Sequence, residues 1–558
     1  MAWPPPAYQP MPPLAQQRRT AYARPIRAPW WQREGVISRA LAVAGVAVTL
    51  IGVVMLLVLA AQAGFFGPVP RVAVGALFSG ALVAAGTRVY GKAGGRVGGI
   101  ALAATGIAGG YLDVIAMTTL YGWLNPIAGY GVALGIAAGG VALAVRWRAQ
   151  VLAVLVVAGA AVLAPFVTSG ITVELLGFLI VLEIAALAVH LVRDWPWLHV
   201  VRTIPAVLAT LIAVIGTALD SGPVSDRHET LAAAIMVAVA GLAGAILSGR
   251  RRAGDVTASL SFAASALPLL AAPIMFDRAG SVVVSGVFGV VLLVLAAMPM
   301  LPKLGAAARI PGHLVVTSAL VGAFALLEAC LGVTDVQTLP LALFVVAMGF
   351  LAVAGQRSSR VAAGIGAAYG GLGALTFVVR TNPGVLTYQP EAEDHLGMST
   401  ALVAVTALGV LGVAAWCARR IGLLESESDA TTLSVFAGIA GLYAVTALTV
   451  SLGVATGDHN GFRAGHAIAT VIWMVTATAA LLFGLRRLAR TPQRAKVALA
   501  AGLLVTAAAL AKLFLFDLAT LDGLLRAGAF LVVGVLLLVV GTRYARAFAD
   551  MGARTPTA

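Results

Sequence analysis

VGGIALAATGIAGGYLDVIAMTTLYGWL, residues 97–124, is long and apolar enough to cross a bilayer, yet it carries a carboxylate, Asp113, inside its apolar run. A charge at such a place costs about 2.5–3.5 kcal/mol on insertion scales, so it faces protein or a wet cavity. Gly98, Gly99, Gly106, Gly109 and Gly110 share the stretch, and small residues let neighbouring helices approach closely. The expectation is a helix around which other helices gather.

Working outward, the composition agrees. Of the 558 residues 60% are hydrophobic and 11% charged, whereas soluble domains carry about 25% charged residues. The excess apolar surface must face lipid, which admits only helices or closed barrels. Apolar runs of about 20 residues without period-2 alternation select helices. Runs of this kind recur from 38–63 through 71–89, 97–121, 126–146 and 171–191 to 497–518 and 524–544. They number about eighteen and form successive hairpins at a spacing of about 50 residues. The fold class is therefore all-α, a polytopic transmembrane helix bundle. A Pro/Arg-rich tail, 1–36, precedes a helical domain over 37–546, and a short tail, 547–558, follows it. The run 38–63 is too long for the core of a signal peptide and reads as an uncleaved helix. The outward loops 381–397 and 454–465 are too short for a core of their own.

The net charge of +15 follows the distribution of Arg rather than a nucleic-acid site. Arg88, Arg146, Arg193, Arg250, Arg251, Arg357, Arg419, Arg486 and Arg543 fall on one side of the expected hairpins, together with the N-terminal tail. The opposite loops hold Asp220, Asp226, Asp335, Glu391, Glu393 and Asp458. By the positive-inside rule both termini lie on the cytoplasmic side of the membrane, and the excess of Arg over Lys with abundant Ala points to a GC-rich bacterial genome. Cys330 and Cys417 fall near opposite faces of that membrane, which argues against a disulfide.

Four passages resemble one family. They are GFFGPVPRVAVGAL at 64–77, GGYLDVIAMTTLYGWL at 109–124, VLAPFVTSG at 162–170 and AKLFLFDLATLDGLLRAGAFLVVGVLLLVVGTRYAR at 511–546. Together they look like the bacterial predicted membrane proteins called domain of unknown function 2339. The resemblance implies a multi-helix inner-membrane protein and supplies no catalytic or binding residues. Asp113 departs from the more aliphatic or aromatic pattern of that family.

Chemistry is therefore sought among the intramembrane charges. Counting 1.5 Å per residue from the outer helix ends puts Asp113 roughly 10 Å deep, Lys512 about 9 Å and Glu328 about 6 Å. Arg526 sits just inside the outer end of the last span. These four form a candidate outward-half polar cluster, in which Asp113 faces Lys512 across neighbouring helices or through water. Glu183, with His190 two turns later, is a weaker candidate for a proton relay. His228 with Asp226 and Glu229, and His459 with Asp458 and His466, offer metal-ligand residue types. Their spacing fits no zinc pattern, so they read as solvated loop residues. No phosphate loop or serine nucleophile motif appears, and neither a cofactor nor nucleic acid is expected.

Three functions compete. A transporter or flippase-like permease, with a small molecule or lipid as substrate and membrane lipids around it, fits the helix number and the buried charges. A non-catalytic envelope scaffold fits the lack of a recognisable site. A glycosyltransferase using a lipid-linked sugar ranks below both, because the first outward loop, Phe65–Pro70, lacks the acidic residues such enzymes place there.

Overall fold

The computed structural model of the protein describes residues 67–514, with breaks at 169, 194, 220–225, 252–255, 302–309, 459 and 488–491, and parts of 48–55 and 527–542. Both tails, most of the run 38–63, His459 and Arg526 lie outside the described residues.

Every regular element among the described residues is helical. Among the described residues fifteen helices are long and apolar enough to cross a membrane, and each overlaps one of the apolar runs read from the sequence. A sixteenth run, 171–191, is the continuous helix Val173–Val192. Of the last expected run, 524–544, Phe530–Val539 is described as helix. Some helices outrun their apolar stretch: the expected 71–89 and 126–146 lie within Pro68–Tyr90 and Pro126–Trp147, and Glu427–Ala455 and Gly461–Arg487 run to 29 and 27 residues. Hydropathy marks the hydrocarbon crossing, but a helix continues until a cap or a turn ends it. Here Ser426 accepts a hydrogen bond from the Asp429 amide at the start of one such extension.

The chain divides into two compact units, one of Met1–Asn125 and Gly131–Ala160, the other of Pro126–Tyr130 and Ala161–Ala558. The first contains helices α1 (Pro68–Tyr90) and α2 (Arg96–Ile115), with most of α3 (Pro126–Trp147) and α4 (Gln150–Leu163). Among the described residues, α2 touches α1, α3 and α4. Against α1 the backbones nearly meet, for a Cβ on Gly106 would lie 2.5 Å from the Ser79 carbonyl and one on Gly86 2.8 Å from that of Gly99. Against α3, a Cβ on Gly140 would lie 2.8 Å from Ile107 Cδ1. Against α4, the Tyr111 hydroxyl donates to the Val156 carbonyl at 3.1 Å. Gly98 belongs to the same run but has only an ordinary 3.7 Å neighbour, Val89 Cγ1. Lipid competes with any apolar contact, so association of this kind rests on backbone approach and dispersion rather than on hydrophobicity.

Beyond Ile115 the α2 helix widens into a π turn, Ala116–Leu120. The Thr118 and Thr119 hydroxyls donate to the carbonyls of Val114 and Ile115 at 2.8 and 2.6 Å, serving acceptors at the point where the regular ladder changes.

The second unit carries α5 (Val173–Val192), α6 (Pro196–Ala218), α7 (Arg227–Arg251), α8 (Val256–Ala271), α9 (Arg278–Ala297), α10 (Gly312–Val333), α11 (Leu339–Arg357), α12 (Arg360–Arg380), α13 (Met398–Arg420), α14 (Glu427–Ala455), α15 (Gly461–Arg487) and α16 (Pro492–Lys512). Consecutive helices pack as hairpins, among them α7 with α8, α9 with α10, α11 with α12 and α15 with α16. Between α12 and α13, residues 381–397 are more than a plain loop. They fold into two short helices, Pro383–Thr387 and Gln389–His395, which bury Val385, Leu386, Ala392 and Leu396. Their apolar residues are too few for a separate core, but they join that of the α11–α14 helices.

Candidate functional site

In the first unit Asp113 sits on α2 with 7% of its surface exposed, and its Oδ2 is buried without a hydrogen-bond partner. Room for the carboxylate comes from Gly75 on α1, where a Cβ would collide with Oδ1. Any other residue at 75 would therefore displace the carboxylate. The same carboxylate lines a cavity of about 400 Å³ between α1, α2 and α3, whose other walls include Ser79, Gly80, Gly110, Met117 and Gly139. The floor at Gly106, Asp113 and Gly140 is buried, whereas Gly80, Val132 and Gly139 at the mouth are exposed. Met117 belongs to the π turn, so the irregularity of α2 forms part of the cavity wall.

In the second unit, Glu183 of α5 meets a partner that the sequence did not single out. Arg202 of α6 lies 3.9 Å from Glu183 Oε1, and the Thr203 hydroxyl donates to that oxygen at 3.4 Å. The other face of the guanidinium donates to His199 Nδ1 at 3.1 Å from Nη2 and 3.4 Å from Nε. Arginine can only donate, so Nδ1 accepts and the imidazole proton resides on Nε2. Glu183 and His199 are 0% exposed and Arg202 is 2% exposed. Gly244 of α7 leaves space for the guanidinium, since a Cβ there would lie 2.7 Å from Nη2. Glu183 Oε2 is buried without a hydrogen-bond partner. His190, the partner expected for Glu183, lies in α5, and its side chain is outside the described residues.

Residues 38–462 and 400–547 match the family described as predicted membrane protein, DUF2339. The chain belongs to this family. It is a multi-pass membrane protein, and no curated protein and no solved structure matches it.

The remaining candidates of this DUF2339 protein have separate surroundings. Lys512, at the end of α16, donates to the His466 carbonyl at 3.1 Å and to the Thr470 hydroxyl at 2.6 Å. The pairing of Lys512 with Asp113 expected from the sequence would join the two units. Inside its own unit the ammonium is held by α15. Glu328 on α10 is half-buried, its Oε2 lacks a hydrogen-bond partner, and it forms no ion pair among the described residues. His466 is not the solvated loop residue expected: it is 3% exposed within α15, and its Nε2 lies 2.8 Å from the Leu386 carbonyl. His228 is exposed, and no group of three or more metal-ligating side chains occurs among the described residues.

Sequence reasoning missed Arg202 and His199, although a signal was present. Along α6, His199, Arg202, Thr203, Thr210 and Thr217 fall on one buried stripe, while Val200, Ile204, Leu208, Ile212 and Ile215 are exposed on the other. A span that confines its polar residues to one face has a polar partner or a cavity on that face. Hydropathy alone averages the two faces together.

Proposed function

We propose that this DUF2339 protein is a transporter or flippase-like permease of the bacterial inner membrane, with about eighteen spans and both termini cytoplasmic. In this reading 37–546 is the membrane domain and 1–36 and 547–558 are cytoplasmic tails. The observation that carries it is Asp113, a nine-tenths-buried carboxylate with an orphaned oxygen, on the wall of a cavity whose mouth is exposed. A purely structural carboxylate in an apolar bundle would be paired, because an uncompensated charge there costs several kcal/mol. A permease needs such a group to bind a solute or a proton and release it again.

The test uses full-length protein in liposomes. Proton entry is followed with internal pyranine under an imposed gradient, and lipid movement with a fluorescent phospholipid quenched from outside. Wild-type protein should accelerate at least one process, and Asp113→Asn should abolish the acceleration. Rates equal to those of protein-free vesicles for both probes would remove a permease that moves protons or lipid. They would favour the envelope scaffold, which the Glu183–Arg202–His199 cluster supports, since Arg202 ties Glu183 and His199 together within packed helices.

A further inference from the structure

We infer that the cavity beside Asp113 binds a lipophilic monovalent organic cation, such as a protonated or quaternary amine carried on an apolar body. This names the substrate class of the permease reading and rests on it.

Charge gives the first argument. Asp113 supplies one carboxylate, and Oδ2 has no hydrogen-bond partner. Arg71, one helical turn before Gly75 on α1, is not among the lining residues. One negative charge matches one positive charge; a dication would leave its second charge uncompensated in apolar surroundings. The second argument is the scarcity of oxygen. Hard metal cations gather six or more oxygen ligands, often carboxylates and carbonyls. Among the described residues, the only lining side chain besides Asp113 that carries oxygen is Ser79. An organic cation needs no such cage: a quaternary ammonium is weakly hydrated, and a protonated amine can donate its N–H directly to the Asp113 carboxylate.

The walls give the third argument. Apart from those two, the described lining residues are Gly, Ala, Val, Ile, Leu and Met, and Met117 adds a polarisable thioether that adapts to varied apolar shapes. A volume near 400 Å³ lies in the range of small-molecule sites. The space exists because of glycine: a Cβ on Gly80 of α1 or Gly139 of α3 would meet no heavy atom within 4 Å. Both positions are helical and lie between well-formed turns. A larger side chain there would fill the cavity without disturbing the packed contacts around Gly86, Gly99 and Gly106.

The experiment is equilibrium binding of ethidium to the full-length protein in nanodiscs, read by fluorescence anisotropy after subtraction of empty discs. Saturable binding is expected, with about tenfold or greater weakening in Asp113→Asn, the loss anticipated when one member of a desolvated charge pair is neutralised. Gly80→Leu and Gly139→Leu should lose binding to a similar degree while keeping the wild-type melting temperature. These two variants keep the test meaningful if Asp113→Asn is unstable. A neutral aromatic dye of similar size should not compete. Binding unchanged in all three variants, or equal affinity for the neutral dye, would overturn the inference, as would an absence of saturable ethidium binding. Asp113-dependent proton or lipid movement without ethidium binding would sink the substrate class and leave the permease. Ethidium binding that depends on Asp113, without movement of ethidium or of either earlier probe in liposomes, would uphold the site and sink the permease.

Discussion

Asp113 and Arg202 are both ionisable groups on apolar helices, and their environments separate two physical solutions to the same problem. Arg202 is paired in place with the Glu183 carboxylate and donates to His199 Nδ1, with Gly244 making room. Asp113 has a place cleared for it by Gly75 but keeps an orphaned oxygen. Removing one member of a buried pair leaves an uncompensated charge, which costs about 3–5 kcal/mol, while removing both can be nearly neutral. Glu183→Gln and Arg202→Met should therefore each lower thermal stability in detergent strongly, and the double variant should recover most of the loss. Additive losses in the double variant would show that the two side chains act independently. Asp113 was legible in the sequence because it stands alone in the middle of an apolar run. Arg202 was not, because it lies seven residues into α6 among other basic residues near a helix end, where an arginine ordinarily snorkels.

At the scale of elements, small residues decide where helices meet. The α1–α2 hairpin closes on Ser79, Gly86, Gly99 and Gly106, and the glycines of α2 announced such a contact without naming its partner. The segment 381–397 runs the other way. Its length and polarity read as a simple outward loop, yet Leu386 and Ala392 are buried. Short amphipathic helices of five and seven residues give too little periodicity to be recognised, and their stability comes from the bundle beneath them. His466 anchors this cover through the Leu386 carbonyl. His466→Leu should release it, and limited proteolysis in detergent should cut within 381–397 several-fold faster than in the wild type, with α15 intact. Unchanged cleavage would mean that the apolar contacts of Leu386 and Ala392 hold the segment without the histidine.

For the whole molecule, the alternation of basic and acidic loops carries the proposed topology. Cys330 and Cys417 are buried and free, so introduced cysteines can be read against a quiet background. Glu393→Cys should react with an impermeant maleimide added to intact cells or right-side-out vesicles. Arg250→Cys should react only after permeabilisation. The reverse pattern would invert the scheme, and labelling of both from one side would mean a miscounted span between them.

The sequence by itself determined that the chain is helical, that it is a multi-pass membrane protein and where the apolar helices among the described residues lie. Those properties follow from local averages: the free energy of moving about 20 residues into hydrocarbon, and the need to satisfy every backbone group within one segment. Family membership was legible for a related reason, since the passages that carry it are contiguous. Tertiary structure alone decided that Lys512 is held by Thr470 and His466, that Glu183 meets Arg202 and that Asp113 borders a cavity cleared by glycines on two other helices. Which faces meet depends on matching small residues far apart in the chain, and in lipid no difference in hydrophobicity marks those faces in advance.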